Sequence, residues 1–354
     1  MSIRAAAPAL AAALLFGAST PLAKMLVGSV TPLLLAGLLY LGSGLGLGLL
    51  LVMRRLARNA LGQASHAPTI PRHELPWLLG AILAGGVAGP ALLMAGLVAT
   101  DAASASLLLN VEGVFTALIA WIVFRENADK QIVLGMVAIV TGGILLSWQP
   151  EGAKLSPGAL LILAACACWA VDNNLTRKVS SNDALLLACL KGLVAGVCNT
   201  SLALIAGATL PDALPVVSAM VVGFAGYGVS LALFVIALRH LGTSRTGAYF
   251  SVAPLFGVII SFSLWPQMPD ILFWAALALM AFGVWLHLRE RHEHEHTHEA
   301  MEHAHAHAHR HDEHHQHEHE FSWDGKEPHT HRHRHRVMTH KHPHYPDIHH
   351  RHGH

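Results

Sequence analysis

Ten apolar stretches follow one another along the chain, near 7–27, 31–53, 76–98, 102–124, 131–148, 158–178, 184–206, 215–238, 246–265 and 271–288. A helix rises about 1.5 Å per residue, so about 20 residues cross the roughly 30 Å hydrocarbon layer of a bilayer. A large soluble helical core would need amphipathic helices with one charged side. Such helices are missing: residues 1–291 hold 16 Lys+Arg and 11 Asp+Glu, far below the roughly 25% charged residues of a soluble domain. The sequence therefore predicts an all-α, polytopic membrane protein with ten transmembrane helices and the lipid bilayer as its first partner. The first stretch, with Arg4 before an alanine-rich run, has features of a secretory signal, but a matching segment recurs later and it is read as a span.

Orientation follows from the basic residues, which gather in cytoplasmic loops. If the spans alternate, Arg4, Arg54, Arg55, Arg58, Arg72, Arg125, Lys130, Arg177, Lys178, Arg239, Arg245, Arg289 and Arg291 share one side, and only Lys24 and Lys154 fall on the other. Both termini are expected in the cytoplasm, in a bacterial inner (plasma) membrane. The basic residues are scattered between spans and form no single face, so nucleic acid is not an expected partner. Cys166, Cys168, Cys189 and Cys198 all lie inside apolar segments, where cysteine behaves as a packing residue.

The chain repeats itself. A shift of 141 places lays LLLNVEGVFTALIAWIVFRENAD (107–129) over AYFSVAPLFGVIISFSLWPQMPD (248–270), and a shift of 153 lays FGASTPLAKM (16–25) over WAVDNNLTRK (169–178). Five spans per half is an odd number, so the halves must cross in opposite directions, the inverted-repeat design of many secondary transporters. The first half is placed at 1–148 and the second at 149–290, with a separate tail at 291–354.

The residues FGASTPLAKMLV, WAVDNNLTRKV and ASLLLNVEGVFTALIAWIVFRENADKQIVLGMVAIVTGGILL (105–146) resemble the EamA-type transporters of the drug/metabolite transporter superfamily. The resemblance covers about residues 7–288 and implies ten helices in two five-helix halves and transport of a small molecule, often outward. Two positions depart from the family pattern. Glu112-Gly113 stands where many relatives have a proline midway along the fourth span, although Pro254 keeps the proline in the ninth. Gln267 stands where relatives often have an acidic residue after the ninth span, although Glu126 keeps it in the first half.

A charge at mid-membrane costs about 2.5–3.5 kcal/mol on insertion scales, so one that persists usually has a partner or a task. Glu112 lies at the centre of the fourth span, with Asn110 two residues before it. It either holds helices together or serves as a protonatable group that binds a cation or carries a coupling proton. Asp172 and Lys191 lie at equal depth on the adjacent sixth and seventh spans, which suggests an ion pair, either structural or a gate that breaks during transport. Asn173, Asn174 and Thr176 extend the polar end of the sixth span, and Ser19, Thr20, Pro21 and Lys24 occupy the equivalent end of the first. Paired interruptions of this kind are a pointer to a binding site. Together with Ser251, these residues form the expected substrate path, with Lys24 either at the outer mouth or snorkelling to the headgroups. Gly85, Gly86, Gly89 and Pro90 should bend the third span. The run GSGLGLG (42–48) contains overlapping G-x-x-x-G spacings, which serve either packing inside the monomer or a homodimer.

In the tail, 24 of the last 63 residues are histidine. It has too few hydrophobic residues for a core and is expected to be disordered until metal gathers it. His292, His294, His296, His298, His303, His305, His307, His309, His311, His314, His315, His317 and His319 are the candidate ligands for Zn, Ni, Co or Cu ions, to which neutral imidazole binds well. No cofactor is required. Residues 292–327 carry ten Asp+Glu against two Lys+Arg, and 328–354 carry one against five, so the two parts of the tail should attract each other near neutral pH. His66, His73, His240 and His287 all fall at loops or span ends, so the spans offer no convergent histidine pathway for metal. A small-metabolite carrier with a metal-binding regulatory tail is the expected function. The alternative is a divalent-metal exporter whose tail captures its cargo. No Ser/Lys or His/Asp nucleophile pair lies at common depth, so no enzyme is expected.

Overall fold

In a computed structural model the chain divides into two units, residues 1–290 and 291–354. The structure describes residues 3–60, 70–124, 130–149, 154–179, 182–241, 246, 249–266 and 268–288 and, as backbone, 293–298, 302–307, 329–334 and 338–343.

The first unit is helical. Helix α1 runs Ile3–Leu26, α2 Pro32–Ala60, α3 Arg72–Ala99, α4 Ala102–Val123, α5 Lys130–Ser147, α6 Pro157–Thr176, α7 Ala184–Ile205, α8 Ala213–Ala237, α9 Ala253–Leu264 and α10 Ile271–Leu288. Among the described residues, the first eight are long and apolar enough to cross a membrane, while α9 and α10 are shorter apolar helices. A two-residue antiparallel pair, β1 Trp148–Gln149 with β2 Lys154–Leu155, joins the halves. In the second unit, β3 Glu293–His298 pairs with β6 Met338–Pro343, and β4 Glu302–His307 pairs with β5 His329–Arg334, both antiparallel.

Acidic residues at the ends of the spans are used as helix caps. Asp101 accepts the Ser104 amide at 2.8 Å, Asp183 the Leu185 amide at 2.9 Å and Asp270 the Phe273 amide at 2.9 Å. Each satisfies an amide that the first turn of a helix leaves without an internal partner.

Helix packing has the symmetry of a repeat. Helix α2 packs on α7 and α5 on α10, each helix against its counterpart in the other half. The remaining main contacts come in matched pairs: α3 on α6 with α8 on α1, α4 on α6 with α9 on α1, and α2 on α8 with α7 on α3. Exchanging the halves leaves this pattern unchanged. Lipid offers little hydrophobic drive for helix association, so close approach of small residues has to supply it. A side-chain carbon at Gly42 would run into the backbone of Met220, one at Gly223 into Leu39, and one at Gly192 into Gly44. Gly46 sits against the Phe224 ring and Gly48 against Cys189. The GSGLGLG run thus serves packing inside the monomer. Gly142 and Gly283 bring α5 and α10 together in the same way, against Met280 and Ile139.

Gly42→Val should therefore force α2 from α8 at the expense usual for overpacking, about 1–3 kcal/mol or more where backbone is the obstacle. The expected readout is a lower melting temperature of the detergent-solubilised protein, with loss of the monodisperse chromatographic peak.

Candidate functional site

Helix α4 is broken near its middle. Its two segments, Ala102–Leu108 and Val111–Phe124, meet at a turn at Leu109 and Asn110. Asn110 Nδ2 donates to the Leu107 carbonyl at 2.9 Å, the local competition with helix bonding that makes asparagine a weak helix former. The Leu108 carbonyl left by the break takes the Cys166 thiol of α6 at 3.7 Å. Glu112 follows directly. Its Oε1 accepts from Asn173 Nδ2 at 2.8 Å, and the same Nδ2 reaches Thr116 Oγ1 at 3.3 Å. Asn174 Nδ2 donates to the carbonyls of Ala170, at 2.8 Å, and Thr116, at 3.3 Å. Gly113 faces open space and Asn173 is exposed, so this face of α4 and α6 is not packed core.

One residue before Asn173, the Asp172 carboxylate holds Lys191 Nζ of α7 at 2.6 and 2.7 Å, and Thr176 Oγ1 donates to it at 2.8 Å. The pair expected from equal depth is in contact, with Asp172 only 6% exposed. Its seat is a π-helical stretch of α3, Ile82–Ala88, which turns the expected bend at Gly85 and Pro90 into a bulge. The Gly89 amide bonds back to Ala84, and Pro90 has no amide to offer, so the Gly85 carbonyl loses its helical donor. Tyr40 Oη of α2 and Trp169 Nε1 of α6 donate to it instead, at 3.0 and 2.8 Å. Asn199 Nδ2 of α7 takes the carbonyls of Gly86, at 3.2 Å, and Val87, at 3.3 Å. A buried carbonyl in hydrocarbon needs such a partner. The absence of a Cβ at Gly85 leaves room for the Asp172 carboxylate.

The other half repeats the arrangement without the charges. Helix α8 has its own π-helical stretch, Phe224–Val229, set against α1. There the Tyr227 hydroxyl is hydrogen-bonded to Ser19, and the Tyr227 ring lies 6.0 Å from Phe16 and 5.6 Å from Tyr40. Ser19 Oγ donates to the Phe16 carbonyl at 2.6 Å, and Thr20 beside it is buried. Ser251 lies in a turn before α9, next to Phe250, whose ring is 5.3 Å from Phe16. That turn answers the break in α4.

Lys24 stands apart from this group. Its ammonium donates to the carbonyls of Leu97 and Val98, the last turn of α3, where a cation meets the negative end of the helix dipole. With Asp101, Thr100, Asp270, Phe262 and Trp265, Lys24 lines a cavity of about 610 Å³.

Of the path residues named from sequence, Glu112, Asn173, Asn174, Asp172 and Lys191 come together. Ser19, Thr20 and Ser251 belong to the matching region of the other half, and Asn110 shapes the break. Tyr40, Trp169, Tyr227, Thr116 and Asn199 join the site without a signal in the sequence that marks them. Glu126, Gln267 and the side chains of all thirteen tail histidines lie outside the described residues. Among the described residues, no three His, Cys, Asp or Glu side chains gather into a metal-holding group.

The model of the EamA-like transporter family matches residues 4–148 and 156–289, once in each half. The chain is 31% identical to an "Uncharacterized transporter" of Methanothermobacter thermautotrophicus over 263 residues, 71% of this chain and 76% of the relative. It is 27% identical to the "Uncharacterized transporter YyaM" of Bacillus subtilis over 189 residues, 49% of this chain and 60% of the relative. A solved crystal structure at 18% identity superposes with a TM-score of 0.56, covering 81% of this chain and 97% of its own, a likeness of fold.

Proposed function

Because the chain belongs to the EamA-like transporter family, matched over both halves, we propose that it is a secondary carrier that moves a small metabolite across a bacterial inner membrane by alternating access. The membrane-transporter assignment rests on the family; the cargo class and the mechanism are our reading. The observation that carries it is Glu112, an acidic residue at a broken helix with a single side-chain hydrogen bond from Asn173, in a region that also draws Tyr40, Trp169, Phe16 and Tyr227 from both halves; the substrate crevice of the proposed carrier is placed there. Irregular backbone at membrane depth is tolerated where it lines a cavity, and substrate sites of repeat-built carriers lie there. The exchange symmetry of the helix contacts supports two oppositely inserted repeats rocking against each other, with both termini in the cytoplasm.

The histidine-rich tail then acts as a regulator that responds to cytosolic Zn, Ni, Co or Cu ions. The rival reading, a divalent-metal exporter fed by that tail, draws on the same histidines. A path for such ions requires several imidazole, thiolate or carboxylate ligands at one depth, and Glu112 is joined by an amide and a hydroxyl.

A three-strain comparison tests both. Deletion, full-length and tail-less (1–290) strains are grown across Ni, Co, Zn and Cu salts and across amino-acid and nucleoside analogues. The proposal expects analogue sensitivity to be relieved by both forms, with only the full-length form changing its effect when zinc is added. Relief of metal toxicity by the full-length chain alone, with no analogue phenotype, would favour the exporter.

A further inference from the structure

If the chain is the carrier proposed above, on which this inference rests, the chemical character of the crevice narrows its cargo. Phe16, Tyr40, Glu112, Trp169, Asn173 and Tyr227 form an unbroken chain of neighbours. Glu112 bonds Asn173; Trp169 lies one helical turn before Asn173; Trp169 and Tyr40 share the Gly85 carbonyl; Tyr40 faces Tyr227, which faces Phe16. All six retain accessible surface, although Trp169, Tyr227 and Tyr40 pack against core clusters. In the proposed carrier these side chains would line the crevice.

Charge in this space is unbalanced. Glu112 Oε1 is engaged by Asn173, and among the described hydrogen bonds nothing meets Oε2. Lys191 is the cation whose field reaches Glu112, but its ammonium is committed to both oxygens of Asp172 and lies 3.3 Å from Thr176 Oγ1. A carboxylate whose nearest cation is committed to Asp172, in a low-dielectric setting and a region that holds aromatic rings, which attract cations, selects positive charge. A transition-metal ion is poorly served by one carboxylate, an amide and a hydroxyl. An anion meets a repelling carboxylate and, among the described residues, a Lys191 already held by Asp172. We infer that the crevice binds the ammonium group of a small organic amine, with Glu112 as its counter-charge and the rings of Tyr40, Trp169 and Tyr227 receiving its hydrocarbon body.

The test uses the full chain in lipid nanodiscs at neutral pH, with three probes of similar shape: 2-phenylethylamine, 3-phenylpropan-1-ol and 3-phenylpropanoate, each corrected for binding to empty discs. The amine is expected to bind roughly 10- to 100-fold tighter than the alcohol, the range of one charge-assisted hydrogen bond, and the acid weakest. Glu112→Gln should erase the preference for the amine while leaving the alcohol's affinity unchanged. Asn173→Asp, which adds a second carboxylate, should enlarge that preference and covers the case in which Glu112→Gln does not fold. Equal binding of amine and alcohol, stronger binding of the acid, or a preference that survives Glu112→Gln would overturn the inference. Flux assays in proteoliposomes separate the two readings. Flux of neutral or anionic solutes with no amine preference leaves the carrier and removes the amine site. Amine binding without flux of any solute removes the carrier and leaves the site.

Discussion

Lys191→Met is expected to reduce the folded protein recovered from membranes at least tenfold, and adding Asp172→Asn to the same chain should restore most of it. The pair is buried, with side-chain exposures of 19% for Lys191 and 8% for Asp172. Removing one partner of such a pair leaves an uncompensated charge and costs about 3–5 kcal/mol, a large share of a typical stability of about 5–15 kcal/mol. Asparagine at 172 carries no charge and still accepts the Thr176 hydroxyl, which now donates to Oδ1 at 2.8 Å. Size-exclusion chromatography of a fluorescent fusion gives the yield, and a transport assay on the double variant separates the roles of the pair. A double variant that folds and transports makes the pair structural; one that folds without transport makes it a moving part. Full recovery of the Lys191→Met chain would mean that Asp172 is not held as a charge against Lys191, and the account of this site would fall.

Much of the fold is legible because the bilayer imposes a simple rule on the sequence. Runs of about twenty apolar residues leave few other solutions: among the described residues the first eight expected spans have helices long and apolar enough to cross, and the ninth and tenth have shorter apolar helices. The bend of α3 could be anticipated from Gly85, Gly86, Gly89 and Pro90, since a proline removes an amide and glycines tolerate the distortion. Its form as a π-helical bulge could not, because that depends on Tyr40, Trp169 and Asn199 from three other helices to satisfy the released carbonyls. The matching bulge in α8 has no proline to announce it.

The site follows the same division. Charges and amides inside apolar spans stand out wherever they occur, so Glu112, Asp172, Asn173 and Lys191 could be found, and equal depth was enough to pair two of them. Aromatic residues give no such contrast: within an apolar span, Tyr40, Trp169 and Tyr227 read as more oil, and whether a ring faces lipid or the crevice depends on how the helix is turned about its axis. The partners of Lys24 were hidden for a related reason. These carbonyls, of Leu97 and Val98, belong to a helix more than seventy residues away, and only packing brings them together.

Glu112→Pro, within the Glu112-Gly113 pair that stands where many relatives have a proline, should fold and yet lose amine transport. In an intact helix an interior proline costs about 3 kcal/mol or more, through a lost hydrogen bond and a clash with the carbonyl four residues back. Here the helix is already interrupted. The Glu112 amide donates to Leu109 across a turn, at 3.2 Å, and also lies against the Cys166 sulfur, while the carbonyl four residues back, Leu108, points to the Cys166 thiol. Val111 opens the second segment of α4, so a proline at 112 falls in the first turn of a helix, where its fixed φ is favourable. It would disfavour helical geometry at Val111 and move the start of that segment by one residue. Pro254, the counterpart of Gly113 under the 141-place shift, likewise lies in the first turn of its helix, α9. The folding penalty should therefore stay near 1 kcal/mol, the net worth of one ordinary hydrogen bond, and the melting temperature should shift by only a few degrees. Loss of the carboxylate should lower amine flux roughly 100-fold, the effect of about 2–3 kcal/mol of charge-assisted bonding. A variant that fails to fold would show that α4 needs a continuous helix through this point. One that folds and moves amines like the unsubstituted chain would show that Glu112 does not hold the cargo.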